Sequence, residues 1–244
     1  MPNLRTTAII CSVRTHGEHG AVVRSLTPEN GLMAGYVRGA RSRTMRPVLI
    51  PSNLVQADYR ARTEDQLASM TAELLQSRGA YLGEPLPSAG LDWATALTAA
   101  VLPEEQSYPQ LYAALSALLQ AIGSAPSAKG WAVALARYEL LLLSELGFGL
   151  DLDKCTVTGS EDDLIYVSPR SATAVSAAAG QIYKDRLLPL PEFLRRADQP
   201  DWPDIFNGLK VTGFFLKRHF FDDRRNDVMA ARSVLIDRLK RVVA

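Results

Sequence analysis

Four arginines, Arg38, Arg41, Arg43 and Arg46, crowd the run Tyr-Val-Arg-Gly-Ala-Arg-Ser-Arg-Thr-Met-Arg at positions 36–46. No acid falls between Glu29 and Asp58. A guanidinium presents a planar fork of donors that matches phosphate oxygens and stays charged at any working pH. Gly39, Ser42 and Thr44 make the middle of the run a poor strand and a poor helix, so it reads as a loop between strands. Such a loop suits a phosphate backbone. A solvated, arginine-rich hairpin tip is the plainer alternative.

Other residues able to do chemistry are few. The three histidines are His16, His19 and His219. His16 and His19 lie near Cys11 and Glu18, but the spacing matches no metal-ligand pattern, and an exposed turn is the expected setting. Acid pairs stand at Asp162 and Asp163 and at Asp222 and Asp223. Metal-dependent nucleases use such carboxylates, and solvated loop acids are the commoner case. No glycine-rich phosphate loop, Gly-x-Ser-x-Gly or Cys-x-x-Cys is present. These residues give little sign of catalysis and none of a bound cofactor.

Net charge over 244 residues is only +1, but its distribution is uneven. Residues 1–62 carry nine Lys and Arg against three Asp and Glu, a net of +6. Residues 81–200 carry eight against fourteen, a net of −6, and residues 201–244 return to a net of +3. A one-sided field of this kind is a better sign of nucleic-acid binding than overall charge. Cys11 and Cys155 are far apart, which is no disulfide framework and fits a reducing compartment. The opening Met-Pro-Asn-Leu-Arg-Thr-Thr does not read as a signal peptide. The leucines at 140–143 are too short a run to span a bilayer. A cytoplasmic protein without membrane contact is expected.

The elements that must position the arginines begin with a β-branched strand over residues 4–14. Residues 16–20, His-Gly-Glu-His-Gly, break it, and an extended run resumes over 22–26. Thr27, Pro28, Glu29, Asn30 and Gly31 form a strong turn signal. The run 32–37 pairs back, with Gly35 read as a bulge. Residues 48–50 and 53–62 supply further strand. Five short strands in about seventy residues fit a small barrel of the OB type, whose open face takes single strands by backbone charge and base stacking. Tyr36 and Tyr59 are the candidate stacking residues, with a place in the barrel wall or core as the alternative.

From residue 67 the apolar period changes, and Leu67, Met70, Leu74 and Leu75 read as helix, although a last strand can reach this far. Gly83, Pro85 and Pro87 mark a boundary. A helix is expected from Asp92 to before Pro103, another from Pro109 with Leu111, Leu115, Leu118, Leu119 and Ile122 on one face. Trp131, Leu135, Tyr138, Leu142 and Leu146 form the next stripe. The leucines around it make that helix apolar nearly all round, hence the most buried. Residues 151–180 read as irregular. Two helices follow, marked by Leu209, Leu216 and Phe220 and by Val228, Leu235 and Leu239.

The segment from Glu139 to Gly159, Glu-Leu-Leu-Leu-Leu-Ser-Glu-Leu-Gly-Phe-Gly-Leu-Asp-Leu-Asp-Lys-Cys-Thr-Val-Thr-Gly, closely resembles the signature of the RecO family of bacterial recombination mediators. The resemblance extends to residues 16–20, the turn at 27–31, Val-Arg-Gly-Ala-Arg at 37–41 and Tyr-Val-Ser-Pro at 166–169. It implies a non-enzymatic, nucleoid-associated role in recombinational repair: binding of single- and double-stranded DNA, annealing of complementary strands, and help in loading the recombinase onto DNA coated by single-strand-binding protein. The implied protein partners are RecR and the acidic C-terminal tail of single-strand-binding protein. Many members of the family carry a four-cysteine zinc site. Its positions here hold Cys155, Thr158, Ser176 and Ala179, one thiol where four are needed, so no metal is expected. The loop would hold its shape by packing Leu152, Val157, Leu164, Ile165 and Val167, with Cys155 a small buried hydrophobe.

The expected architecture is α+β and multidomain. Residues 1–80 form an OB-type nucleic-acid-binding barrel, and residues 81–244 a mostly α-helical domain with a degenerate zinc-finger-like insertion at 151–180. An acidic, apolar-ended tail needs a greasy pocket rimmed by cations. Lys217, Arg218, Arg224 and Arg225, beside Phe214, Phe215, Phe220 and Phe221, are the candidates for it; aromatics filling the core are the alternative. If the arginine loop is not the DNA site, Arg5, Arg14, Arg24, Arg60 and Arg62 on the barrel itself are next. A protein-binding adapter whose barrel does not touch DNA, or a metal-dependent nuclease, would be the competing functions.

Overall fold

The computed structural model describes residues 3–63, 66–221 and 226–243. Five strands, β1 (Asn3–His16), β2 (Gly20–Thr27), β3 (Gly31–Val37), β4 (Leu54–Arg60) and β5 (Ala68–Gln76), close into a barrel in the order β1-β2-β3-β5-β4. This is the expected OB-type arrangement. The long β1 serves two neighbours. Its first half pairs with β4 and its second half with β2, and the register shifts between Ile10 and Ser12 where the strand bends. The turn into β3 is as read: Gly31 has φ +68°, and the Thr27 hydroxyl donates to the Gly31 carbonyl at 2.9 Å.

Alternation along the strands sends Ala8, Ile10, Val23, Val55, Ala57, Tyr59 and Met70 inward. Five strands enclose little space, so two large side chains need small neighbours. Gly35 is one of them. It pairs in unbroken register with Val23, so it is no bulge. A Cβ there would stand 2.6 Å from the Met70 Cβ and 3.1 Å from the Tyr59 ring. Gly35→Ala is therefore expected to destabilise the barrel by at least about 1 kcal/mol through overpacking. Urea unfolding followed at Trp93 would measure it, and an unshifted midpoint would contradict this packing.

Two stretches differ from the sequence expectation. Residues 67–75 are not helix: β5 starts at Ala68, which pairs with Gly35 of β3, and runs along β4 from Ser69 onward. Long-range pairing there overrides the helical spacing of Leu67, Met70 and Leu74. Residues 48–50 are turn rather than strand, because Val48 and Leu49 both donate to the Met45 carbonyl.

Helix α1 (Pro85–Val101) starts at Pro85, seven residues earlier than expected, with proline in its first turn. It is followed by α2 (Pro109–Ser124) and α3 (Ala128–Glu145). The division expected at residue 80 is one of sequence type, strand before and helix after. In packing, the chain forms two compact units: residues 1–124 with 230–242, and residues 125–229. In the first, α1, α2 and most of α6 (Asn226–Val243) join the barrel. Arg24 on the barrel is tied to α1, donating to the Ala99 carbonyl and pairing with Glu104 at 2.8 Å.

The second unit packs α3 against α5 (Trp202–Phe220). Residues 151–180 are not irregular. They contribute β6 (Asp151–Cys155), β7 (Leu164–Val167) and β8 (Thr173–Ser176), then the single turn α4 (Ala177–Gly180). With β9 (Leu188–Pro189) they form a four-stranded sheet in the order β6-β8-β7-β9. Strands of two to five residues are too short to display a period, so the sequence concealed them. Leu152, Leu164 and Val167 are buried in it as expected. Val157 and Ile165 are exposed instead, 70% and 45%.

Candidate nucleic-acid interface

The arginine loop is a built structure rather than a slack tip. Gly39 has φ +67° and its carbonyl accepts from the Ser42 amide at 2.9 Å, and the Arg46 amide donates to the Ser42 carbonyl at 3.1 Å. Ala40 and Leu49 belong to the barrel core, with Met45 and Val48 packed against it. Asn53 clamps the returning chain: its Nδ2 donates to the carbonyls of Pro47 and Val48, and its Oδ1 accepts from the Arg78 amide. Arg38, Arg41, Arg43 and Arg46 are all exposed. Among the described residues none of the four pairs with an acid. The apolar residues thus hold the loop down and leave its charge outward.

Register places more of the surface than the loop alone. Asn3 pairs with Arg60, Arg60 with Ser69, Ser69 with Tyr36, Tyr36 with Val22, and Val22 with Arg14. Residues paired across strands share a face, so these six form one row on the outside of the barrel. Tyr36 stands in that row with Arg14 and Arg60 two strands away on either side, about 10 Å at ordinary strand spacing. The Tyr36 ring lies across Gly20, where any Cβ would collide with its hydroxyl. His16 stands edge-on to it at 5.9 Å. Arg38 follows two residues on, so the row leads directly into the loop.

Tyr59 has the opposite parity. It is 2% exposed, and its hydroxyl lies 2.5 Å from Ser25 Oγ inside the barrel. Burial pushes it up to about 12, against the Ser25 bond that lowers it. It is a core residue and no stacking platform. Of the further barrel arginines, Arg24 is committed to Ala99 and Glu104, and Arg5 stands 4.0 Å from Asp58. Arg14, Arg60 and Arg62 are exposed.

The other candidates disperse. His19 faces Glu18 at 3.8 Å in the open turn, while Cys11 is buried in the barrel and donates to the Ile9 carbonyl. Burial pushes the Cys11 thiol up to about 12. Among the described residues no three His, Cys, Asp or Glu are grouped to hold a metal. Asp162 and Asp163 are exposed turn residues. Asp222, Asp223, Arg224 and Arg225 lie outside the described residues. Lys217 and Arg218 are exposed on the last turn of α5, and Phe214 beside them is exposed as well. Phe215 and Phe221 are buried, and His219 stacks on Phe148 at 4.3 Å.

The four zinc-site positions still converge. Cys155 Sγ accepts from the Ser176 amide at 3.3 Å, and the Ser176 hydroxyl accepts from the Ala179 amide at the start of α4. Burial raises the Cys155 thiol, but hydrogen bonds from Thr158 and Ser176 outweigh it and bring it down to about 6. One thiol, two hydroxyls and a methyl do not fit zinc. Hydrogen bonds do here what a metal does in a four-cysteine knuckle. Chelation by EDTA is accordingly expected to leave the melting temperature unchanged, whereas a zinc-dependent module would lose roughly 10 kcal/mol. Stoichiometric zinc in the purified protein would contradict this.

Comparison with known proteins matches both parts of the chain. The family model described as "Recombination protein O N terminal" covers residues 1–78, and "Recombination protein O C terminal" covers residues 85–226. DNA repair protein RecO of a Caulobacter species is 44% identical over 234 residues, 95% of each chain. That of Rhodospirillum centenum is 43% identical over 237 residues, 96% of this chain and 93% of the relative. That of Methylorubrum extorquens is 41% identical over 233 residues, 92% and 93% of the two chains.

Proposed function

The chain belongs to the RecO family of DNA repair proteins, and from that membership we propose that its barrel binds DNA without reading sequence. The observation that carries the reading is the continuous surface of Arg14, Tyr36, Arg60 and the four loop arginines. Phosphates meet the guanidiniums, and a base stacks on Tyr36, which every base can do through its π-face. Neutralising two backbones on one small surface lets complementary bases meet. This supports annealing of single strands and binding of duplex, with no covalent step.

In the cell this activity would serve recombination: loading the recombinase onto DNA coated by single-strand-binding protein. We take RecR and the acidic tail of single-strand-binding protein as its partners in that role. The test is fluorescence anisotropy of a labelled oligonucleotide with the whole chain at several salt concentrations. Binding that weakens steeply with salt, equal for poly-dT and mixed sequence, is expected. No binding at low salt would leave the adapter function, and cleavage of the oligonucleotide with added Mg²⁺ would point to the nuclease.

A further inference from the structure

In the first unit, β5 has a strand on both sides only at its start. There β3 meets it in parallel at two positions, Gly35 with Ala68 and Tyr36 with Ser69. β3 ends at Val37, and the chain turns away into the arginine loop. From Thr71 onward β5 pairs with β4 alone: Thr71 lies opposite Asp58, Ala72 opposite Ala57, Glu73 opposite Gln56 and Leu74 opposite Val55. Among the described residues, the backbone of Thr71 to Leu75 makes no hydrogen bond outside that pairing. The far end is closed, where the Gln76 side chain donates to Gln120 Oε1 of α2 at 3.0 Å.

A free strand edge is a row of unpaired amides and carbonyls, ready to pair with another chain. Proteins usually blunt such edges with lysine, proline or a bulge. β5 carries no Lys, Arg or Pro, and its one register shift falls at the far end, beside Leu74. Leu74 and Leu75 are instead 37% and 50% exposed. Thr71 and Glu73 are exposed as well. Glu73 is the only charge on the strand, and Asp58 is its diagonal neighbour on the outer face of β4. The cation of that face, Arg60, stands at the other end, opposite Ser69.

We infer that the open edge of β5 takes up an extended segment of a partner protein as an added strand, with a lysine or arginine across from Glu73 and apolar side chains against Leu74 and Leu75. Main-chain hydrogen bonds would supply the affinity and the side chains the choice of partner. Charge complementarity selects a basic segment, because opposite charges across strands attract and this end of the edge offers only acid. A nucleic-acid strand is disfavoured, since Thr71 to Leu75 hold neither a cation nor an aromatic ring. Pairing of two β5 edges is disfavoured too, because strands this short bring both Glu73 carboxylates close together. The edge lies beyond the row through Ser69 and Tyr36 and does not rest on the DNA-binding reading.

The experiment uses the full chain and a fluorescein-labelled peptide alternating lysine with valine. Anisotropy is expected to show saturable binding. Two further peptides carry N-methyl groups on the odd or on the even amides, and at least one of them should bind tenfold more weakly, because methylation removes the donors of one edge. Affinity for the unmodified peptide should fall at least tenfold in Glu73→Lys and in Leu75→Ser. A peptide with glutamate in place of lysine should not bind. Both substitutions are at exposed positions, and Leu75→Ser keeps the test open if Glu73→Lys misfolds by circular dichroism. Absence of saturable binding, equal affinity in parent and folded variants, full binding by both methylated peptides, or preference for the glutamate peptide would overturn the inference. So would a Leu75→Ser variant that loses an oligonucleotide but keeps the peptide, which would make the edge a nucleic-acid surface. A dimer that Leu75→Ser dissociates in sedimentation would assign the edge to a second copy and equally overturn it.

Discussion

Replacing Arg38, Arg41, Arg43 and Arg46 together with alanine is expected to flatten the dependence of log affinity on log salt by about 3, from roughly 0.7 per phosphate on a single strand. All four are exposed and none is paired with an acid among the described residues, so each is available to displace a counterion. Affinity at low salt should fall steeply, and by the same factor for poly-dT and mixed sequences, since phosphate contacts carry no sequence information. The fold should survive. The loop is held by Ala40, Met45, Val48, Leu49 and Asn53, which the variant keeps, and surface substitutions usually cost within about 0.5 kcal/mol each. A variant that melts like the parent and binds with unchanged slope would remove the loop from the interface. Arg14, Tyr36 and Arg60 would then have to carry binding alone.

The largest stability effect is expected in the other unit. Glu139 is fully buried on α3, and the Thr212 hydroxyl of α5 donates to its Oε2. Thr212→Val keeps the shape and removes that donor. A buried carboxylate deprived of one hydrogen bond costs about 2–3 kcal/mol, more than loss of the bond alone, because its desolvation is no longer offset. Urea unfolding followed at Trp131 and Trp202, both in this unit, should show the drop, with the Trp93 environment in the first unit reporting the barrel. An unchanged midpoint would mean that Glu139 does not depend on Thr212.

The barrel was legible in the sequence because its local signals agree: a β-branched run through Thr6, Thr7, Ile9, Ile10 and Val13, then Asn30 and Gly31 at the turn. The long helices were equally plain from leucine spacing. What the sequence hid was whatever only pairing decides. Tyr36 and Tyr59 are both strand tyrosines among apolar residues, and nothing local tells them apart. Register does: Tyr36 lies opposite Val22 on the outer face, while Tyr59 lies opposite Met70 inside. Arg14 and Arg60 are far apart in the chain, and two strand pairings on each side bring them to flank Tyr36. Strand β5 was masked by leucines at helical spacing, and the small sheet by its brevity. The exposure of Val157 was unreadable for another reason. Val157 looks like a core residue in sequence, and only the hydrogen-bonded knuckle turns it outward.

The central claim is that the outer face around Tyr36 is where DNA lies. The most direct measurement is photocross-linking of a bromodeoxyuridine-substituted single strand to the whole chain, with the adducts mapped by mass spectrometry. Adducts are expected on Tyr36 and its neighbour His16, none on the buried Tyr59, and a Tyr36→Ala variant should lose about 1–3 kcal/mol of binding, the usual worth of one stacked base. Adducts confined to residues 125–229, with Tyr36 untouched, would contradict the account.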